Sequence, residues 1–147
     1  MRLSYSLLPV VALGFACVVA EAAGPATVKL ELKAGQELTI PVAIVDGKVI
    51  AGLARLGKLG AATPSPGEIV VGLTPGDKQT FYAQLIVNER VSAPIDFVAT
   101  GLIGEIKIDE RVVCGRIDAP VSQRIGSTSW RVALSGFEVG KGTGSCE

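Results

Sequence analysis

The sequence predicts an all-β chain folded as one antiparallel sandwich, with a barrel as the alternative closure, and three observations carry that expectation. β-Branched residues dominate: downstream of residue 22, Val and Ile total 25 against 10 Leu, a balance that favours the pleated surface of a strand over the wall of a helix. Apolar and polar residues alternate with a period of two in many short stretches, the signature of strands with one buried and one wet face. Glycine and proline, 18 and 8 of 147 residues, fall between those stretches and mark turns.

The strands follow in order. Residues 28–33 alternate apolar with charged side chains and 38–44 alternate again; Pro41 predicts an edge position or a bulge there, because proline has no donor for the ladder. Asp46-Gly47 joins this stretch to residues 48–51 as a two-residue hairpin of the I′ kind, since both positions tolerate positive φ. From 48 to 62 the apolar residues also fit a helical stripe, so a short helix near residues 52–60 is an expectation, against which Gly52, Gly57 and Gly60 each weigh about 1 kcal/mol. A strand at 68–73 leads into Thr74-Pro75-Gly76-Asp77, composed as a type II turn. In the next strand, 80–87, Phe81, Ala83, Leu85 and Val87 share one face, while Thr80, Tyr82, Gln84 and Ile86 share the other. Further strands are expected at 95–100, 105–108, 112–117, 121–125 and 129–139, with Asp109-Glu110 as a turn and Gly136 permitting a bulge. About nine short strands at regular spacing suit an immunoglobulin-like arrangement, with Trp130 at the centre of the core.

Arg2, a charge-free apolar run over residues 7–20 and the small residues of Ala20-Glu21-Ala22 have the layout of a secretory signal peptide cleaved after Ala22. The run is shorter than the roughly 20 residues of a spanning helix. The expectation is a leader over 1–22 and a single domain over 23–147, released into a bacterial periplasm or secreted. Cys17 follows Gly14-Phe15-Ala16, without the Leu typical of a lipidation signal, and leaves with the leader. Cys114 and Cys146 remain, and in an oxidising compartment they pair. Their bond closes a loop of about 30 residues, worth roughly 3–4 kcal/mol in the chain-entropy account, and tethers the glycine-rich tail.

Charge and composition exclude whole classes of chemistry. Lys and Arg number 14, Asp and Glu 14, and histidine is absent. Neutrality removes the electrostatic footprint of a general nucleic-acid binder, and without histidine there is no Ser-His-Asp or Cys-His unit and no His-containing zinc site. Gly52-Leu53-Ala54-Arg55-Leu56-Gly57-Lys58 has the spacing of a phosphate-binding loop, but Leu59 stands where Ser or Thr must hold Mg²⁺. Residues 40–48 followed by 53–57 resemble the hairpin leading to the Asp-Thr-Gly triplet of retroviral-type aspartic proteases. Arg55 and Leu56 occupy the places of the acid and the Thr, so that resemblance implies an inactive relative, since a shared proton between two carboxylates is that mechanism. No catalytic, cofactor or metal residue is assigned.

Recognition is the task these exclusions leave. Arg111, Arg116, Arg124 and Arg131 lie in the last four strands, and arginine is the best fork for a carboxylate or phosphate should they converge; solvated strand faces are the alternative. Tyr82 and Gln84 sit on an outward stripe that is either a binding face or a wet sheet surface, and residues 28–33 offer an edge whose lysines also discourage pairing. Glu105, Lys107 and Asp109 share a strand face, more a charge ladder than an acid pair. The leading reading is an exported non-catalytic module that binds a protein or another cell-envelope component. An inhibitor of a secreted hydrolase, with the Pro-rich residues 61–67 as its wedge, is the alternative, and a carboxylate-dependent hydrolase the least favoured. The intact mass of protein recovered from the cell envelope is expected to equal residues 23–147 less two hydrogens; two titratable thiols would refute the Cys114–Cys146 bond.

Overall fold

A computed structural model describes residues 30–77, 79, 82–126 and 131–142. Ten strands and no helix occur among them: β1 Leu30–Lys33, β2 Gln36–Val45, β3 Lys48–Ala51, β4 Arg55–Lys58, β5 Glu68–Leu73, β6 Tyr82–Arg90, β7 Ile95–Ile103, β8 Ile106–Val113, β9 Val121–Gly126 and β10 Arg131–Val139. All pairings are antiparallel. One sheet runs β1-β10-β7-β8; the other runs β3-β2-β5-β6-β9, with β4 also on β2. No described helix is long and apolar enough to cross a membrane.

The inward faces of the two sheets meet in a core that includes Leu32, Ile40, Ile69, Leu85, Phe97, Val113, Ile125 and Val132. Phe97 stacks on Phe137 with ring centroids 5.3 Å apart. Burial in β6 alternates residue by residue, with Ala83, Leu85, Val87 and Glu89 inward, as the period of two dictates. Trp130, Phe81 and Thr80 lie outside the described residues. The immunoglobulin-like arrangement is not confirmed: the four-stranded sheet opens with the first described strand on the last, and the other sheet holds β3, β2, β5, β6 and β9. Beyond the ladders, the sheets come together where Asp109 Oδ2 on β8 accepts the amide of Gly126 on β9 at 2.9 Å, which brings the sandwich part of the way to a barrel.

Local chemistry explains the register. Asp46 and Gly47 have φ of 51° and 73°, the I′ geometry whose twist matches the flanking strands. Pro41 sits on β2 between its pairings with β4, which end at Thr39↔Arg55, and with β3, which begin at Val42↔Ala51. The neighbouring chain bulges there, so the missing amide breaks no ladder. Gly136 has φ 64° and the β10–β7 register shifts between Ser135 and Glu138, the bulge expected of it.

Three expectations are corrected. Residues 52–60 contain strand β4 and no helix: Leu56 pairs with Leu38 and Gly57 with Glu37, while Gly52 and Gly60 lie outside the strand, Gly60 with φ 80°. The strands expected at 105–108 and 112–117 are one, β8, with Asp109 and Glu110 inside the ladder opposite Gly101 and Thr100. A bulge between Gly101 and Leu102 absorbs the extra residue, and both acids find partners, Asp109 in Gly126 and Glu110 in Lys107. Gly76 does not adopt the positive φ that a type II turn needs; the β5–β6 connection is wider, held by Thr74 N to Gln84 O and Asp77 N to Tyr82 O.

The outer face of the larger sheet is partly covered. Glu37 points outward from β2, yet it is only 3 % exposed. Its carboxylate accepts the amides of Gly60, at 2.8 Å, and Ala62. Those bonds fold the chain after β4 back over β5, where Leu59 fills the space that any side chain at Gly72 would need and Val70 is buried although it faces away from the core. Glu37→Ala should therefore cost about 3 kcal/mol, the loss of two charge-assisted bonds, read as a lowered urea midpoint together with new protease cleavage between residues 59 and 66; an unchanged midpoint would show that the loop stays down without its anchor.

Candidate functional site

The outward stripe of β6 meets that of β9 at the end of the sheet where the β5–β6 connection lies. Gln84 pairs with Arg124 and Tyr82 with Gly126, so Arg124 is the diagonal neighbour of Tyr82. Its guanidinium carbon lies 5.9 Å from the centroid of the Tyr82 ring, a cation–π contact worth about 0.5–1 kcal/mol at an exposed position. Thr74, Pro75, Asp77, Tyr82, Gln84 and Arg124 line a surface pocket of about 200 Å³. Three of the lining residues, Thr74, Asp77 and Gln84, are held by hydrogen bonds. Gln84 N donates to Thr74 Oγ1 at 2.9 Å, and Asp77 Oδ1 accepts the amide of Gln79 at 2.7 Å. Ser122 Oγ donates to Gln84 Oε1 at 3.4 Å.

The four arginines read as a possible patch do not converge. Arg111 pairs with Asp109 at 3.2 Å. Arg116 forms a two-pronged bond with Asp118, at 2.9 and 2.6 Å, which holds the Asp118 carboxyl below its ordinary value and raises the Arg116 guanidinium. Arg131 bridges Glu31 at 3.1 Å and Glu105 at 3.0 Å and also donates to Gly104 O, tying β1, β10 and the β7–β8 turn together. Arg124 alone of the four makes no ion pair among the described residues. Tyr82, Gln84 and Arg124, named separately from the sequence, therefore share one site; Arg111, Arg116 and Arg131 stand elsewhere, each beside a carboxylate.

The remaining candidates resolve locally. Arg55, at the place of a protease acid, faces outward to an ion pair with Glu68, whose carboxyl it holds below the ordinary value. The phosphate-loop spacing falls on β4 and the chain bulging beside Pro41, with no helix behind it. Glu105, Lys107 and Asp109 form no ladder, because the bulge in β8 turns Asp109 toward β9 and Lys107 toward Glu110. The Pro-rich stretch 61–67 does not stand out as a free loop: Pro64 is buried and Ala62 is held by Glu37. Cys114 is buried just past β8; Cys146 and the end of the tail lie outside the described residues.

One feature went unmarked in the sequence reading although its phase announces it. Glu89 continues the inward series of Ala83, Leu85 and Val87 and is 6 % exposed. Oε2 accepts the amide of Ile95 at 3.2 Å, and Oε1 is buried without a partner. Gly115 lies so close that a Cβ there would strike both carboxylate oxygens, and the Gly115 amide donates to Asp96 Oδ1 at 3.0 Å. Burial pushes the Glu89 carboxyl up to about 7, the bond from Ile95 opposing and the charge of Asp96 adding. Gly115 covers the Glu89 carboxylate, while Asp96 beside it is half-buried.

No family model, no curated protein and no solved structure matches the chain, so its function is argued from these geometries. Glu89 supplies a stability test. The folded protein favours the neutral carboxyl, so its contribution is fully present below the unfolded value near 4.5 and is lost as pH rises through about 7. The loss amounts to about 3 kcal/mol. Denaturant unfolding is expected to show a less stable protein at pH 8 than at pH 5, and Glu89→Gln to shrink that difference; an equal pH dependence in the variant would assign it to other groups.

Proposed function

We propose that the chain is an exported, non-catalytic β-sandwich module that binds a protein or another cell-envelope component through the exposed face of β6 and β9. Arg124 carries this reading. Its guanidinium is held in place over Tyr82 without a carboxylate partner among the described residues, whereas Arg111, Arg116 and Arg131 are each neutralised. A positioned cation with free donors on a stiff sheet is prepared for an anionic group, and little ordering is needed on binding. The leader-like residues 1–22 support export to the periplasm or beyond, and a Cys114–Cys146 bond would suit that compartment. For the inhibitor reading, residues 61–67 are anchored at Ala62 and buried at Pro64 while Thr63, Ser65 and Pro66 remain exposed, so less of the segment is free to serve as a wedge.

Tagged protein spanning residues 23–147 should retain a saturable component of an envelope extract, and the double substitution Tyr82→Ala, Arg124→Gln should release it while the thermal transition stays within a few degrees. Equal retention by the double variant would move the binding face away from β6 and β9.

A further inference from the structure

The same pocket specifies a chemistry when its unused hydrogen-bonding capacity is counted, an argument that rests on the binding reading above. Gln84 spends its side-chain oxygen on Ser122 and its backbone amide on Thr74, which leaves the side-chain NH₂ as a donor. Thr74 Oγ1 accepts that amide, so its hydroxyl proton is free to donate. Arg124 brings the guanidinium fork. Against these donors stands, among the described residues, one carboxylate, Asp77, with Oδ1 engaged by Gln79 and Oδ2 without a described partner. The pocket thus presents a donor-rich side that suits an anionic oxygen pair and one acceptor that suits a hydroxyl.

That balance discriminates between ligands. Among the described lining residues a phosphate dianion would meet one cation, Arg124, and the repulsion of Asp77, whereas a carboxylate monoanion with neighbouring hydroxyls satisfies Arg124, Gln84, Thr74 and Asp77 together. At about 200 Å³ the space is smaller than the roughly 300–1,000 Å³ of pockets that hold drug-sized ligands and admits about one sugar ring. Among the described residues its apolar walls are Pro75 and the Tyr82 ring, surfaces of the kind that a pyranose ring packs on. We propose that the pocket between the β5–β6 connection and β9 binds a carboxylate-bearing sugar residue of an extracellular or envelope polysaccharide.

Such a site binds one residue weakly and a polymer through repetition. The test titrates isotope-labelled residues 23–147 with a galacturonic acid trimer, a neutral galactose trimer, an acetylated dialanine with a free C-terminal carboxylate, and inorganic phosphate, following backbone amide shifts. The acidic trimer is expected to move Thr74, Gln84 and Arg124 saturably, and the other three probes to leave them in place. Arg124→Gln and Asp77→Asn should each weaken binding of the acidic trimer by about tenfold, the effect of one charge-assisted bond, with unchanged thermal transitions. Equal binding of the neutral trimer, a preference for the peptide or for phosphate, or no binding of the acidic trimer would overturn the proposal. If envelope retention nonetheless persists and still depends on Tyr82 and Arg124, the binding face stands and only its ligand class is wrong.

Discussion

Strand β2 organises the larger sheet, because three strands take their register from it: β3 along Val42 to Val45, β4 along Gln36 to Thr39, and β5 on the other side along Glu37 to Pro41. Pro41 decides where one neighbour gives way to the next. A residue with an amide at that place would invite the ladder to continue, and β3 and β4 would tend to merge into one long edge. With proline there, the chain between them swings out, Gly52 donates to Pro41 O, and the following segment arrives over the sheet where Glu37 can take hold of it. The smaller sheet then closes over the inward face of the larger through β1 and β10.

The electrostatics of the surface follow a simple division. Most charged side chains that could recognise a ligand are spent on local geometry: Arg131 on three segments, Asp109 on a neighbouring sheet, Glu37 on a loop, Glu68 on β4. Exposed pairs of this sort add little stability individually, but they fix which cations remain available. On the β6–β9 face Arg124 is oriented by an aromatic ring, which keeps the guanidinium in position without neutralising it, whereas Arg90 at the far end of β6 has no such ring against it among the described residues.

Much of this was legible in the sequence, and the exceptions have physical causes. The I′ chemistry of Asp46-Gly47 set the hairpin into β3, and β3 and β5 lie at their expected bounds. The alternation of β6 put Tyr82 and Gln84 outward. What failed was punctuation: Asp109-Glu110 has turn composition, but tertiary partners hold both acids inside β8, and Gly76 had the right chemistry for a turn that the wider β5–β6 connection does not use. The helical stripe over residues 52–60 was overruled by pairing with β2, which no local pattern records. Of the site, Tyr82, Gln84 and Arg124 were each nameable from sequence, while their meeting depends on the β6–β9 register. Glu37 and Glu89 escaped notice because a carboxylate within a strand reads as solvated until its partners are seen.

The contact of Asp109 with Gly126 bears on how the molecule behaves among its own copies. Strands β8 and β9 are the terminal strands of their sheets, and an unpaired row of amides and carbonyls on either is a template for another chain. Because a side chain from one terminal strand caps an amide of the other, the two rows shield one another and neither offers a full register to a neighbour. This seam makes β8 and β9 poor templates for edge-to-edge pairing with another copy, without closing the barrel.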